Sequence, residues 1–205
     1  MKKILFSVVF LAATLVAGAQ NYDALRSKIK SAEAAAQDPK KAVKPATWIS
    51  LADAYIKAYD APKGNVMTGL PIEQVKMLAL SGKQCSGIES VDVSGAPYTK
   101  HVYPDFDLYV NAGGVLEFMV VTNPVCNEDV LAKAVNALVK ANEVDPKGSK
   151  LKDIQTKLNT IREDYVNDGM SQYSLGNVRK AAELFEASLA ATDNKAANVV
   201  DSMMI

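Results

Sequence analysis

Apolar residues return every three or four positions over five stretches of the chain, and this spacing predicts helices. The stretches are residues 22–37, 48–59, 127–144, 150–174 and 178–191. Pro45 precedes the second stretch and suits the first turn of a helix, whereas Asp38-Pro39 ends the first stretch. The pattern changes between residues 60 and 127, so the predicted helices divide into an N-terminal and a C-terminal group.

The residues between the two groups predict a short helix followed by a β-hairpin. Pro71–Leu80 has helical spacing, while Phe106–Val110 and Val115–Val121 are rich in β-branched and aromatic residues with a period of two. Asn111–Gly114 supplies the turn, and Tyr98–Tyr103 is a candidate third strand. Because a lone hairpin is marginal in water, we expect it to lie against the helices or to gain another strand.

One helix pair, Arg162–Asp193, has an ordered set of large and small residues. A large aromatic residue is followed by a small residue, a turn glycine and then Ala-x-x-x-Phe. These positions are held by Tyr165, Gly169, Gly176, Ala181 and Phe185. The order resembles the tetratricopeptide repeat, a pair of helices that stacks on its neighbours. The resemblance implies that Gly169 and Ala181 lie where two helices approach closely.

A second resemblance to the same repeat is split along the chain. The first-helix order of aromatic, Leu, small residue and Tyr is held by Trp48, Leu51, Ala52 and Tyr55. The second helix comes only after the intervening segment, where its positions are held by Ala134, Leu138, Ala141 and the closing Pro146. The resemblance therefore implies a mainly α fold, with antiparallel helix pairs of a tetratricopeptide-type solenoid and a small α+β insertion that contains a β-hairpin.

The two ends of the chain complete the predicted organisation. Lys2-Lys3, the apolar run Ile4–Val16 and the small residues Ala17–Ala19 are typical of an export signal that is cleaved. The run is too short to span a membrane. The predicted parts are a signal peptide at 1–19, N-terminal helices at 20–60, the insertion at 61–126 and repeat helices at 127–205. After Asp193 another helix begins and stops on an apolar run, so we expect an array truncated within a repeat.

Composition and charge argue against several functions. The chain has 23 basic and 23 acidic residues, and loss of Lys2 and Lys3 leaves the mature protein slightly acidic, which gives no electrostatic footprint for nucleic acid. His101 is the only histidine, and no phosphate-binding loop or thiol-enzyme motif is present. We therefore expect no cofactor, no metal and no catalytic residue.

The two cysteines, Cys85 and Cys126, allow one disulfide in an oxidising compartment. The bond would tie the insertion to the start of the repeat's second helix. Two free thiols are the alternative, because sequence alone does not show whether the two Cα atoms approach.

The resemblance also implies where a partner binds. In the tetratricopeptide family the first helix of each pair lines a concave groove that takes peptides or helices. Carried to this chain residue by residue, the groove is lined by Ser50, Asp53, Lys57, Asn167, Met170 and Tyr173. We expect a non-catalytic adaptor or scaffold of the bacterial cell envelope, periplasmic or secreted, that binds another protein or peptide.

Two alternatives come from other classes of protein. The first is an envelope module whose insertion binds a small ligand or a glycan. Exposed side chains among Tyr98, Tyr103, Phe106 and Tyr109 would favour it. The second is an enzyme subunit whose catalytic domain is missing from this chain.

Overall fold

The computed structural model describes residues 22–192. The predicted signal peptide and the helix predicted after Asp193 lie outside the described residues. The helices within this range are α1 (Asp23–Gln37), α2 (Pro39–Ala42), α3 (Pro45–Asp60), α4 (Ile72–Ala79), α5 (Val130–Glu143), α6 (Leu151–Ser174) and α7 (Val178–Thr192). The strands are β1 (Gly87–Val93), β2 (Ala96–Val102), β3 (Phe106–Asn111) and β4 (Leu116–Val121).

The long helices form one layer around a shared apolar core. α3 packs against α1 and against α5, and α6 packs most extensively against α7. The Trp48 helix and the helix that carries Ala134 and Leu138 therefore contact each other across the inserted segment. Ala52, Ala134 and Leu138 have no exposed surface, so small and branched side chains let these helices approach closely.

The inserted segment builds an antiparallel sheet with strand order β1-β2-β3-β4. β1 and β2 are joined by a tight turn in which Ser94 and Gly95 both have positive φ, 53° and 85°. A register shift between Tyr109 and Val110 bends β3 against β4. The side chains of Phe106, Leu108 and Leu116 are fully buried in a second core, which α4 covers with Ile72 and Val75.

The predicted mainly α fold is wrong, because the described residues form an α+β protein. The insertion is not a small hairpin on a solenoid. It contains a four-stranded sheet, a helix and an apolar core of its own. The strands expected at Phe106–Val110 and Val115–Val121 are present as β3 and β4, and the third-strand candidate is β2. Strand β1 was missed, because only Val93 among its residues is fully buried and its apolar alternation is therefore weak.

Three contacts fix the sheet against the helices. The Arg26 Nε of α1 donates to the Val125 carbonyl at 2.8 Å, which holds the linker between β4 and α5. The Ser94 hydroxyl in the β1–β2 turn donates to the Ser174 carbonyl at the end of α6, at 2.7 Å. Strand β4 also contacts α6 directly. The linker of residues 122–129 therefore lies between the two layers.

Candidate functional site

The predicted groove residues of α3 lie on the side of that helix that reaches α6. Ser50 and Lys57 are exposed, and the Ser50 hydroxyl donates to the Ala46 carbonyl at 2.8 Å. Asp53 forms an ion pair with Lys157 of α6 at 2.6 Å. Part of the surface expected to receive a partner is therefore bridged by a contact within the protein.

The predicted groove residues of α6 are exposed on a different side of that helix. Asn167, Met170 and Tyr173 all face solvent, and Met170 and Tyr173 are 54% and 58% exposed. Helical geometry places Met170 about 140° around α6 from Lys157, one of the residues through which α6 contacts α3. The predicted groove residues of α3 thus lie toward one side of α6, while those of α6 face another side. The structure does not bring the two sets together into one groove.

Met170 and Tyr173 belong to a larger apolar surface that runs across α6 and α7. We call this surface the α6–α7 apolar face. It consists of the exposed side chains of Val166, Met170, Tyr173, Val178 and Leu189. On α6 its members are four and seven positions apart, and on α7 Val178 and Leu189 are about three full turns apart, so each set lies on one side of its helix. Val166 and Leu189 line the same shallow groove together with Asn167.

A close helix crossing holds the two halves of this face together. A Cβ atom added to Gly169 would lie only 2.6 Å from Cε1 of Phe185, well inside contact distance. Ala181 of α7 is buried. Gly176 in the α6–α7 turn has φ +77°, a conformation that favours glycine. Small side chains at these positions let α6 and α7 pack closely and set the spacing of the apolar face.

The other residues of the repeat pattern also lie in the helical layer. Leu51, Tyr55, Ala141 and Tyr165 are buried in the shared core. Trp48 is half-buried, and its indole N–H donates to the Ala42 carbonyl at 2.7 Å. Pro146 is exposed in the turn after α5. Most residues of the repeat pattern thus pack the helices against each other. The α6–α7 apolar face is formed by other, exposed residues of the same helices.

A pocket opens at the junction of the helices, strand β4 and the linker before α5. We call it the junction pocket, and its volume is about 370 Å³. Its apolar walls include Pro62, Met119, Val125, Leu131 and Leu184. Its polar groups come from separate elements: Tyr59, Asp129, Tyr165, Asp168 and Lys180. No local motif indicated this pocket, because its residues are far apart in the sequence.

Two tyrosine–aspartate pairs form the polar lining of the junction pocket. The Tyr59 hydroxyl donates to Asp168 at 2.8 Å, and the Tyr165 hydroxyl donates to both carboxylate oxygens of Asp129 at 2.9 Å. Burial, followed by the charges of the neighbouring carboxylates, raises the pKa of both hydroxyls. The two tyrosine hydroxyls therefore remain protonated donors.

The side chain of Lys63, just after α3, lies among acidic residues where α3 contacts α6, and we call this contact the α3–α6 seam. Its ammonium lies 3.5 Å from Asp168, 3.9 Å from Asp164 and 3.5 Å from the ring centre of Tyr59. Burial raises the pKa of Asp164 to about 6, against the opposing effect of Lys63. Burial also raises the pKa of Asp60. Ionisation of these buried carboxyls therefore lowers the stability of the folded protein, and the loss depends on pH.

The aromatic residues of the insertion are engaged within the protein. Tyr103 and Phe106 are buried, whereas Tyr98 and Tyr109 are half-buried. The ring of Tyr109 stacks on Phe118 with centroids 4.5 Å apart, and the Tyr98 hydroxyl donates to Glu117. The glycan-binding alternative required exposed aromatic side chains in the insertion. These rings are stacked, hydrogen-bonded or buried, so they leave little free surface for a sugar.

The cysteines and the histidine occupy separate places. Cys85 packs against the core of the sheet and Cys126 against the helical core, and both thiols are free, which is the second of the two arrangements that the sequence left open. His101 is buried with no partner for Nδ1, and burial lowers its pKa. Within residues 22–192, no group of three or more His, Cys, Asp or Glu side chains has the arrangement of a metal site.

Comparison with known proteins provides no family for this chain. No protein-family model, no curated protein and no solved structure matches it. In the described part of the chain, none of the helices combines the length and the apolar character needed to cross a bilayer.

Proposed function

We propose that this protein is a non-catalytic adaptor or scaffold of the bacterial cell envelope, with helix pairs akin to tetratricopeptide repeats. The observation that supports this function best is the α6–α7 apolar face. Five large apolar side chains stay exposed across two packed helices, and Leu189 is 64% exposed. A cluster of large exposed apolar side chains on one helix pair marks an interaction site far more often than a single exposed leucine does.

The partner that fits this face is an amphipathic helix of another protein. Two packed helices leave a groove between them, and a third helix fills such a groove with residues spaced three or four apart. Charges of both signs flank the apolar residues, with Arg162 and Glu163 on α6 and Arg179 and Glu183 on α7. Such a rim sets the orientation of the partner, while the apolar centre supplies most of the affinity.

Export to the periplasm or beyond is part of the proposal and depends on the sequence of residues 1–19. The adaptor needs no cofactor and no metal, because its work is done by surface contacts. Asn167 borders the groove and presents an amide that can bond to a partner's backbone or side chains.

The test is photo-crosslinking in cells from a reactive residue placed at position 170, with position 90 as the control. Ser90 is exposed on strand β1, away from α6 and α7. We expect an adduct with another protein from position 170 and none from position 90. The crosslinked segment of that protein, made as a peptide, should bind the purified protein and gain helicity.

Other occupants of the face would contradict this assignment. An adduct of twice the chain mass would show a second copy on the face. A crosslink within the chain to residues 193–205 would show that the protein covers the face itself. A crosslinked segment that binds equally well after Leu189→Glu would place the contact elsewhere.

A further inference from the structure

The junction pocket has the dimensions and lining of a small-molecule site. Its volume of about 370 Å³ lies within the range of roughly 300 to 1,000 Å³ found for ligand pockets. Its walls come from α3, β4, the linker, α5, α6 and α7, so both layers of the fold contribute. The apolar side chains of Pro62, Val125 and Leu184 suit a hydrocarbon or aromatic body rather than a fully polar ligand.

The polar lining of the pocket includes donors, from Lys180 and the amides of Asn127 and Gln172, and carboxylates that can accept from a ligand. Both tyrosine hydroxyls donate a hydrogen bond to a carboxylate. Asp129 and Asp168 therefore keep spare lone pairs that a ligand could use. A carboxylate has about four lone-pair positions. Asp129 accepts from the Tyr165 hydroxyl through both oxygens and, as the N-cap of α5, from the Ala132 N–H through Oδ1, so its free positions lie mainly on Oδ2. Lys63 stands 3.5 Å from Asp168 Oδ1 and leaves that oxygen only loosely occupied.

The charges around the pocket are predominantly negative. Asp129 and Asp168 face it from the linker and α6, and Lys180 faces it from α7. Glu128 also lines it and is paired with Lys133 outside. On the α3 side, Asp60 and Asp164 share the single cation Lys63 with Asp168. An anionic ligand would meet like charges here, and partial burial makes that repulsion stronger than in water.

From this combination of apolar walls and carboxylates that keep spare acceptor positions, we infer that the junction pocket binds a small organic cation with an apolar body, such as an arylalkyl amine. The ammonium would lie against Asp168 and Asp129, and the ring would lie between Pro62, Val125 and Leu184. This site is independent of the α6–α7 apolar face. None of the five residues that define that face lines the junction pocket.

The test uses the two cysteines as an internal pair. Cys126 lines the junction pocket, whereas Cys85 packs against the core of the sheet. The rate of iodoacetamide labelling at each thiol is followed by mass spectrometry. The added probe is 2-phenylethylamine, 2-phenylethanol or 3-phenylpropanoate. At about ten times its Kd, the amine leaves about one pocket in ten free, so labelling of Cys126 should slow about tenfold while Cys85 is unaffected.

Two variants test the origin of the binding. Asp168→Asn should weaken protection of Cys126 by the amine, whereas Glu163→Gln removes the same charge from an exposed position of α6 outside the pocket and should leave protection unchanged. Leu184→Trp keeps both carboxylates but fills the pocket, and it should abolish protection. This second variant keeps the test decisive if Asp168→Asn disturbs folding.

Several results would overturn the inference. Equal protection by the amine, the alcohol and the carboxylate would show that charge plays no part. Equal slowing at Cys85 and Cys126 would show a general effect on the protein. Because Cys126 also lines a second pocket beside α1, absence of protection by the amine together with an unchanged thermal midpoint at the same concentration would show that the junction pocket does not bind this class of ligand. These three comparisons use the unaltered protein and need no variant.

Discussion

The α3–α5 pair and the α6–α7 pair carry the same kind of repeat pattern but have different surroundings. α5 has buried residues over its whole length, because α3 covers it on one side and α6 contacts it on the other. The α6–α7 pair is covered on the side of the core and bare on the other side, where Met170 and Leu189 are exposed. The repeat residues thus report how two helices pack together. They do not report what covers the pair, and the bare side is where function is proposed.

The largest expected effect is a difference in stability between two leucine-to-alanine substitutions, one in the buried α3–α5 pair and one on the α6–α7 apolar face. Leu138→Ala removes a fully buried side chain and should lower the free energy of unfolding by about 3 kcal/mol. Leu189→Ala, on the bare face, should change it by less than about 0.5 kcal/mol. Urea denaturation of both variants measures the difference. Similar losses for the two leucines would show that the apolar face is covered in the isolated protein.

The next largest change in stability is expected at the close contact between α6 and α7, where Gly169 meets Phe185. Alanine in a helix is ordinarily more stable than glycine by about 1 kcal/mol. Gly169→Ala should instead destabilise the protein by about 1 to 2 kcal/mol, because the new methyl group would meet the Phe185 ring. The larger Gly169→Leu should cost more. Thermal unfolding checks both.

Relief by a second substitution sharpens the same prediction. Phe185→Leu should recover part of the loss caused by Gly169→Ala, so the two changes should be non-additive. A stabilising Gly169→Ala, or strict additivity with Phe185→Leu, would contradict the close packing of α6 on α7.

The seam between the two helix pairs gives a smaller effect that depends on pH. Burial raises the pKa of Asp164 from its ordinary value of 3.8 to about 6. Between these values the folded state binds more protons than the unfolded state, so this group lowers stability as pH rises from 3.8 to about 6. Asp164→Asn should remove that slope and raise stability at pH 7.5 by about 1 kcal/mol, allowing for residual solvent screening.

Glu186→Gln is the control for this seam, because it removes the same charge from an exposed position of α7 that does not affect the pKa of Asp164. Denaturation midpoints across the pH range measure the slope for each protein. Parallel profiles for the wild type and Asp164→Asn would show that Asp164 carries no burial cost.

The sequence predicted the long helices and the close approach at Gly169, because both depend on local periodicity and on one small residue in a regular pattern. It predicted β3 and β4 for the same reason, since Phe106, Leu108 and Val110 alternate with polar residues. It underestimated the sheet, because β1 exposes most of its side chains and gives little alternation. The class of the fold was therefore wrong although most of its elements were right.

The sites were harder to predict than the elements. Met170 and Tyr173 were chosen from the family pattern, but Val166, Val178 and Leu189 complete the apolar face only after α6 and α7 are folded together. The junction pocket joins Tyr59, Asp129 and Asp168, which no local spacing connects. The raised pKa of Asp164 depends on burial by distant elements, so composition and spacing alone carried no signal for it.

The most direct test of the central claim is the affinity of the crosslinked partner segment, made as a peptide, for the wild type and for Leu189→Glu. The charge would be buried without a partner, so binding should weaken about tenfold or more while the free energy of unfolding stays within about 0.5 kcal/mol. Unchanged affinity for a properly folded Leu189→Glu protein would contradict the α6–α7 apolar face as the docking site.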